Sequence, residues 1–175
     1  MINAKTIQKI FSSLGTLNTI TVYFNENENK KVKDTMQYIE QYVNEIDDKF
    51  SVFKETSEIS KINKNAGIEL VKVSHDTFEI LKLSKKYGNI TKGAFDITTK
   101  VLTDLYKSKN YSIESEKIKV ALRKVNYNDI ILDEENKSVM LENKGQAIDL
   151  GGIAKGYVSD KIKDIFKEKE IEERS

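Results

Sequence analysis

The stretch AIDLGGIAKGYVSDKI, residues 147–162, concentrates residue types that could bind an anion. The chain has eight glycines, and three of them fall within six positions of this stretch: Gly151, Gly152 and Gly156. Glycines between a strand-like run and a helix-like run let backbone N–H groups approach a ligand without obstruction by a Cβ. The N-terminus of the following helix would then bind phosphate, and Lys155 in its first turn would neutralise a pyrophosphate oxygen.

The spacing of these glycines differs from the common nucleotide-binding motifs. A Walker A loop has Gly directly before its Lys and Ser or Thr directly after it, whereas Lys155 lies between Ala154 and Gly156. The dinucleotide fingerprint is G-x-G-x-x-G, whereas the pattern here is G-G-x-x-x-G. The spacing alone therefore leaves two interpretations open, which are a phosphate-binding helix start and a tight strand-to-helix turn with a solvated lysine.

Two other segments carry candidate binding residues. In TKGAFDIT, residues 91–98, the glycine allows close approach, Phe95 offers a flat apolar face and Asp96 can accept hydrogen bonds from an amide or hydroxyl. The alternative makes Asp96 a helix cap and Phe95 a core residue, and the segment taken alone favours that alternative. In FSVFKETSEISKIN, Phe53 could stack on a ring, although an aromatic residue after an amphipathic helix is more often part of the core.

The composition excludes several classes of function. Lys and Arg number 29 against 28 Asp and Glu, and this balance argues against a generic nucleic-acid binder. The absence of cysteine excludes disulfides, thiolate metal sites and cysteine lipidation, and a single histidine excludes a multi-histidine metal site. No apolar run approaches the roughly 20 residues that cross a bilayer. The N-terminus lacks the apolar core of a signal peptide, so we expect no membrane segment and, for the chain as written, a cytoplasmic location.

The first third of the sequence predicts a strand followed by a helix. Apolar and polar residues alternate over residues 14–24, which is typical of a half-buried strand. After a polar turn, apolar residues recur at steps of four and three and predict an amphipathic helix. Its buried stripe consists of Val32, Met36, Ile39, Val43, Ile46 and Phe50. The segment after it predicts a loop with one short helical turn.

The rest of the chain predicts short strands and helices in irregular order. IELVKVS is typical of a brief strand, and Ser74 caps a helix that ends at Gly88. Another helix begins near Asp96, DIILDEENKSVMLEN predicts a hairpin, QAIDL a strand, and a final helix follows from Ile153. With hairpin evidence and no linker, the order predicts a single α+β domain over residues 1–175, with a mixed or antiparallel sheet and packed helices.

Four segments occur in the order, and at about the separations, found in the FAD:protein FMN transferases of the ApbE family. They are SLGTLNTITVYF, FSVFKETSEISKIN, TKGAFDIT and AIDLGGIAKGYVSD. The sequence resembles this family over nearly its whole length, and DLGGIAKGY and GAFD are the most specific motifs. The resemblance implies an ApbE-like (T-fold-like) architecture and a flavinylation activity. In that activity FAD is the substrate, Mg²⁺ helps to cleave its pyrophosphate, and FMN is attached to a Ser or Thr of a target flavoprotein with release of AMP. Known targets of the family include membrane-bound, ion-translocating redox complexes.

The resemblance also implies roles for particular residues. Leu14 stands where the family usually has a methionine that contacts FAD, and Phe53 occupies the aromatic position beside the flavin ring. Asp149 and Lys155 would hold the nucleotide, and the backbone carbonyl of Gly152 would supply one Mg²⁺ ligand. Three residues would line the flavin site: Ala94, Phe95 and Asp96. Mg²⁺ takes oxygen ligands, commonly one or two carboxylates plus substrate phosphates, and it would offset the charge that develops as AMP leaves.

The resemblance further implies that the chain is the N-terminal portion of such a transferase. Family members continue through a glycine-bearing strand and a segment whose Asp and Thr complete the metal site, whereas this sequence ends in EIEERS. We therefore expect a C-terminally truncated protein, in which no catalytic base is assigned; full-length relatives are often exported. Three functions stay open at this point: FMN transfer with a complete site, flavin-nucleotide binding by a non-catalytic remnant, and generic phosphate binding by the glycine turn. The third would leave the other three motifs unexplained.

Overall fold

The chain folds into helices and antiparallel strands in a computed structural model, which describes residues 4–108 and 115–171. The prediction of an α+β fold is confirmed. The chain divides into two compact units. Unit 1 runs from the N-terminus to Asp48 and resumes at Ala154, and unit 2 is Lys49–Ile153. The predicted single domain over residues 1–175 stays a prediction.

Unit 1 is built on a long hairpin. Strands β1 (Ala4–Ser13) and β2 (Thr16–Asn25) pair antiparallel over their full length. The loop between them has two residues, Leu14 and Gly15, both with positive φ (55° and 67°). This geometry is that of a type I′ turn, whose twist matches the twist of the two strands. It also explains why a glycine stands in the second loop position.

One face of this hairpin packs on two helices of unit 1. These are α1 (Asn29–Phe50) and α6 (Ala154–Glu168). The hydrophobic core of unit 1 contains apolar residues from all of these elements and from the chain after α6. Burial of these side chains removes apolar surface from water and so stabilises the unit. The core consists of Val22, Phe24, Val32, Met36 and Ile171, with Ile7, Ile20 and Phe166 at its margin. All six residues of the predicted α1 stripe are at most 5% exposed, so this helix is confirmed.

Unit 2 carries four helices and a small three-stranded sheet among its described residues. The helices are α2 (Glu58–Lys64), α3 (His75–Ile90), α4 (Lys100–Ser108) and α5 (Ser115–Leu122). Strands β3 (Val71–Lys72), β4 (Ile130–Asp133) and β5 (Ser138–Leu141) form an antiparallel sheet in the order β3-β5-β4. The β4–β5 pair is the predicted hairpin. One-turn 3₁₀ helices at Ile97–Thr99 and Tyr127–Asp129 complete the unit.

Two of the predicted elements differ in the structure. The predicted QAIDL strand joins no sheet, and the side chain of Asn63 binds the backbone of Ile148 where a neighbouring strand would. Its Oδ1 accepts from the Ile148 N–H (2.8 Å) and its Nδ2 donates to the Ile148 carbonyl (3.0 Å). Gly88 does not end helix α3, which continues to Ile90 with Thr91 as its C-terminal cap.

In the part of the chain that the structure describes, no helix is long and apolar enough to span a bilayer.

The turn of the β4–β5 hairpin gives a testable pH dependence. Asp133 accepts hydrogen bonds from the N–H groups of Glu135 (3.1 Å) and Asn136 (3.0 Å) and from the Asn136 side chain (2.8 Å). These bonds hold the pKa of the Asp133 carboxyl below its usual value, the Asn136 side chain contributing most. Because the folded pKa is lowered, the stabilisation is present above about pH 4 and is lost as the pH falls through the lowered pKa.

We expect a carboxyl ¹³C NMR titration to show this lowered midpoint for Asp133. The Asn136→Ala variant removes the side-chain donor and should move the midpoint back toward the usual value. An ordinary midpoint in both proteins would contradict the hydrogen-bonded turn.

Candidate functional site

The segment that carries Ala94, Phe95 and Asp96 is a tight loop after helix α3. The chain reverses there through two residues with positive φ, Lys92 (53°) and Gly93 (84°). The Gly93 N–H donates to the Gly88 carbonyl (2.8 Å), which satisfies a terminal carbonyl of the helix. The loop presents Ala94 as an exposed residue and leaves Phe95 and Asp96 half-buried.

The carboxylate of Asp96 joins two turns of unit 2. Its Oδ1 accepts from the N–H (2.8 Å) and the hydroxyl (2.6 Å) of Thr98, and it therefore caps the Ile97–Thr99 turn as predicted. Its Oδ2 accepts from the N–H of Tyr127 (3.0 Å). The fully buried Thr98 hydroxyl in turn accepts from the N–H of Asn126 (2.9 Å). Asp96 thus fixes the loop to the Tyr127–Asp129 turn.

The ring of Tyr127 lies against helix α3 at Gly88. A Cβ added to Gly88 would come within 2.6 Å of the Cγ and Cδ2 atoms of Tyr127, which is closer than atoms can pack. Glycine at position 88 is therefore required by the ring and not by the end of the helix.

Lys85, one turn earlier in α3, also ties this helix to the chain after Tyr127. Its ammonium group donates to the carbonyls of Asn128 (3.3 Å) and Ile130. Burial lowers the pKa of Lys85, and the nearby Asp129 carboxylate partly opposes that shift.

The glycine turn at residues 151–152 lies against the same loop. The Asp149 N–H donates to the Ile97 carbonyl (3.0 Å), and the Asp149 Oδ1 accepts from the Gly151 N–H (2.8 Å). A Cβ added to Gly152 would lie 3.4 Å from the Cε2 atom of Phe95, so the Phe95 ring faces this glycine. Both glycines are exposed. Unit 2 thereby brings together the GAFD and DLGG motifs, which begin 56 residues apart in the sequence.

Two aromatic side chains of unit 2 offer different surfaces. Phe53 is 86% exposed, so the alternative that made it a core residue is wrong. Its backbone is held in place, because the N–H groups of Phe53 and Lys54 donate to the Ser51 hydroxyl (3.1 and 3.2 Å). Phe95 is half-buried and meets the Tyr87 ring edge to face, with centroids 6.4 Å apart. An exposed phenyl ring on a fixed backbone can stack on a planar ligand.

The two remaining sequence-predicted residues lie together in unit 1. Leu14, in the hairpin loop, and Lys155, in the first turn of α6, line one cavity of about 560 Å³. The Lys155 side chain is exposed, and the Ser159 hydroxyl donates to the Lys155 carbonyl (2.9 Å). The positive end of the α6 dipole and the Lys155 ammonium together favour an anion at this helix start.

Possible ligands for a metal ion are few among the described residues. They contain no cluster of three or more His, Cys, Asp or Glu side chains that could bind one. The Gly152 carbonyl is a hard oxygen ligand in an exposed turn, three residues from the Asp149 carboxylate. Such a pair suits Mg²⁺, which commonly keeps several waters and shares one or two protein oxygens with substrate phosphates.

The sequence did not reveal the residues that support this site. Tyr127, Thr98 and Gly88 act through contacts with residues about 30 to 40 positions away, and local periodicity contains no signal for them. One clue was available, because a glycine in a helical pattern can mark a close approach by another group as well as the helix end that was predicted at Gly88.

Comparisons with known proteins agree on one family. Residues 14–174 match the ApbE family. A FAD:protein FMN transferase of Klebsiella pneumoniae (strain 342) is 29% identical over 135 residues, which are 75% of this chain and 43% of that protein. A FAD:protein FMN transferase of Vibrio cholerae is 25% identical over 138 residues, which are 77% of this chain and 41% of that protein. The chain thus spans less than half the length of these relatives.

Solved structures show the same fold. The ApbE protein of Thermotoga maritima superimposes with a TM-score of 0.82 at 31% identity, covering 94% of this chain and 53% of that protein. The flavin transferase ApbE of Vibrio cholerae gives a TM-score of 0.85 at 20% identity, over 97% of this chain and 55% of that protein, and supports the fold alone. The match covers nearly the whole chain in sequence and in structure, and we conclude that the chain belongs to the ApbE family.

Proposed function

We propose that the chain binds FAD and forms the N-terminal part of an FAD:protein FMN transferase. In the proposed reaction a Ser or Thr hydroxyl of a target flavoprotein forms a bond to the FMN phosphorus. The bond from that phosphorus to the bridging oxygen breaks, AMP leaves with this oxygen, and the hydroxyl gives up its proton. None of the described residues is assigned as the base. The family of the chain and the names of its relatives support this activity.

The proposal rests mainly on the contact between the Phe95 ring and the Gly152 turn. A half-buried aromatic ring lies beside an exposed backbone turn that carries no side chain, and the Asp149 carboxylate, just before this turn, accepts from the Gly151 N–H. An aromatic surface suits an isoalloxazine or adenine ring, and a side-chain-free turn lets a phosphate group come close to the backbone. Within unit 2, Phe53, Ala94 and Asp96 are proposed to complete the flavin site. Within unit 1, Leu14 and Lys155 are proposed, from the resemblance, as FAD contacts.

Mg²⁺ is proposed to bind the Gly152 carbonyl together with phosphate oxygens of FAD and water. When bound, it would stabilise the negative charge on the pyrophosphate as AMP departs. In this arrangement the protein contributes the Gly152 carbonyl, and phosphate oxygens of FAD and water would supply the remaining ligands. We therefore expect Mg²⁺ to bind tightly only when FAD is present.

A second candidate function is binding of FAD without transfer. It is favoured by the exposed Phe53 ring and by the contact of Phe95 with Gly152, which suit binding of a flavin nucleotide and need no group for the transfer step. The two candidates are separated by incubating the purified chain with FAD and Mg²⁺, with and without a flavoprotein domain that carries a Ser or Thr acceptor. Release of AMP with covalent flavin on the acceptor supports transfer. Quenching of FAD fluorescence without AMP supports the binding function, and absence of both contradicts the whole proposal.

Replacing Lys155 with alanine should weaken FAD binding about tenfold, a loss of roughly 1.4 kcal/mol, because one charge-assisted contact to a phosphate is removed. The matched control is Lys167→Ala, which removes an exposed lysine twelve residues further along α6. Twelve residues correspond to about 18 Å along a helix, so this lysine lies too far along the helix to touch the same phosphate. Titration of FAD fluorescence measures both variants. Equal affinity in the two variants would contradict the role of Lys155.

A further inference from the structure

Helix α2 connects two segments of unit 2 that carry proposed contacts to FAD. Phe53 lies four residues before Ser57, the N-terminal cap of α2, and Asn63 in the last turn of α2 binds the chain directly before the DLGG motif. Asn63 lies six positions after the cap, which corresponds to about 9 Å along a helix. The length of α2 therefore bears on the distance between the bend that carries Phe53 and the glycine turn.

The bend that carries Phe53, residues 51–54, is bound to the first turn of α2 by serine side chains. The Ser51 hydroxyl accepts from the N–H groups of Phe53 (3.1 Å) and Lys54 (3.2 Å). The Ser51 carbonyl accepts from the hydroxyls of Ser57 (2.5 Å) and Ser60 (3.3 Å). The Ser57 N–H also donates to the Lys54 carbonyl (3.0 Å). The backbone below the exposed Phe53 ring thus belongs to the same hydrogen-bonded unit as the start of the helix.

The chain before the glycine turn is bound to the other end of α2. The Asn63 side chain pairs with the N–H (2.8 Å) and the carbonyl (3.0 Å) of Ile148. The next residue, Asp149, donates its N–H to the Ile97 carbonyl (3.0 Å), two residues after Phe95. Two consecutive residues at the start of the DLGG motif are therefore bound to two different segments, one continuous with Phe53 and the other with Phe95.

Helix α2 is itself held firmly within unit 2. Its two apolar side chains, Ile59 and Ile62, are buried. The Glu58 carboxylate accepts from the N–H (3.0 Å) and the hydroxyl (2.9 Å) of Ser74 at the start of α3. A shift of α2 toward or away from the glycine turn would break these contacts, so the helix can act as a spacer of fixed length.

We propose that Asn63 is a positioning residue that holds the glycine turn at a set distance from the Phe53 ring. The inference rests on the proposed function, in which the isoalloxazine of FAD contacts Phe53 and a phosphate lies at Gly151 and Gly152. The ribityl chain between ring and phosphate limits the distance that these two contacts can span. When the protein holds both subsites at the matching distance, the first contact raises the effective concentration for the second. Asn63 contributes to affinity in this way without touching FAD.

Asn63→Ala should weaken a ligand that spans both subsites more than a ligand that occupies one of them. FAD spans both, riboflavin has the flavin ring without a phosphate, and ADP has the phosphates without the flavin ring. We expect the Kd of FAD to rise about tenfold and those of riboflavin and ADP to change about twofold at most. NMR titrations of the full chain with Mg²⁺ present measure all three ligands, weak binding included. The matched control is Asn65→Ala, because the Asn65 side chain donates to the Lys61 carbonyl of its own helix (2.9 Å), and it should leave all three affinities unchanged.

The comparison of ligands separates positioning from simpler effects of the substitution. Equal losses for FAD and ADP would mean that Asn63 supports the glycine turn alone, and equal losses for all three ligands would mean general destabilisation. Either result, or an unchanged FAD affinity, would overturn the inference. Circular dichroism checks folding, and if Asn63→Ala unfolds, Asn63→Asp repeats the comparison, because it keeps the acceptor for the Ile148 N–H and removes only the donor. A wild-type chain that does not bind FAD would instead contradict the proposed function, and the inference would fall with it.

Discussion

Replacing Asp96 with alanine is expected to lower the free energy of unfolding by about 3 kcal/mol. Loss of a helix-capping side chain costs about 1 kcal/mol, and each buried donor left without an acceptor costs roughly 1 to 3 kcal/mol more. The variant removes the acceptor from the N–H and hydroxyl of Thr98 and from the N–H of Tyr127. Urea denaturation followed by circular dichroism measures the change.

Two further variants show which bonds of Asp96 matter. Asp149→Ala is the matched control, because that carboxylate accepts one described hydrogen bond, from the exposed Gly151, and we expect a loss of about 1 kcal/mol or less. Asp96→Asn keeps an acceptor for Thr98 but presents an NH₂ group to the Tyr127 N–H, so its loss should lie between the other two. Equal stability of Asp96→Ala and Asp149→Ala would show that the two turns are not joined through this carboxylate.

The stability test also affects how FAD binding is interpreted. Asp96 is proposed to line the flavin site, yet its carboxylate accepts three hydrogen bonds within unit 2. Weaker FAD binding by Asp96→Ala would therefore have two causes, which are the loss of a direct contact to FAD and the displacement of the loop that carries Asp96. Comparing FAD affinities with the measured stabilities separates the two causes, because a displaced loop weakens binding in proportion to the destabilisation.

The elements with strong local patterns were predictable. Helix α1 has an apolar residue at every core-facing step, and all six are buried. The β4–β5 hairpin was recognisable from its two apolar runs and polar turn. Strand β1 was not predicted, because its inward face carries Lys5, Lys9 and Ser13 beside Ile7 and Phe11, and this mixture shows no alternation of apolar and polar residues.

The interpretations that failed depend on contacts distant in sequence. QAIDL has the composition of a strand, but Asn63, 85 residues earlier than Ile148, satisfies its backbone. The approach of Phe95 to Gly152 and the bond from Tyr127 to Asp96 likewise arise from tertiary packing. The candidate motifs could therefore be found in the sequence, whereas the residues that hold them together could not.

Gly88→Ala is expected to destabilise the chain by about 2 kcal/mol, although alanine normally stabilises a helix by about 1 kcal/mol relative to glycine. The cause is the Tyr127 ring, whose Cγ and Cδ2 atoms would lie 2.6 Å from the new Cβ. In a Tyr127→Ala background this clash is absent, so Gly88→Ala should then be stabilising. A double-mutant cycle by urea denaturation should give a coupling of about 3 kcal/mol.

The same cycle tests whether the ring positions the candidate site. In Gly88→Ala the displaced ring carries the Tyr127 backbone with it and draws its N–H away from Asp96, so we expect weaker FAD binding. Tyr127→Ala keeps that N–H and should retain more of the affinity for FAD than Gly88→Ala does. The double variant should regain the FAD affinity that Gly88→Ala loses. Because the loss depends on the presence of the ring, it cannot come from glycine flexibility in α3. A Gly88→Ala effect of the same sign and size in both backgrounds would show that the close approach of ring and helix does not exist in solution.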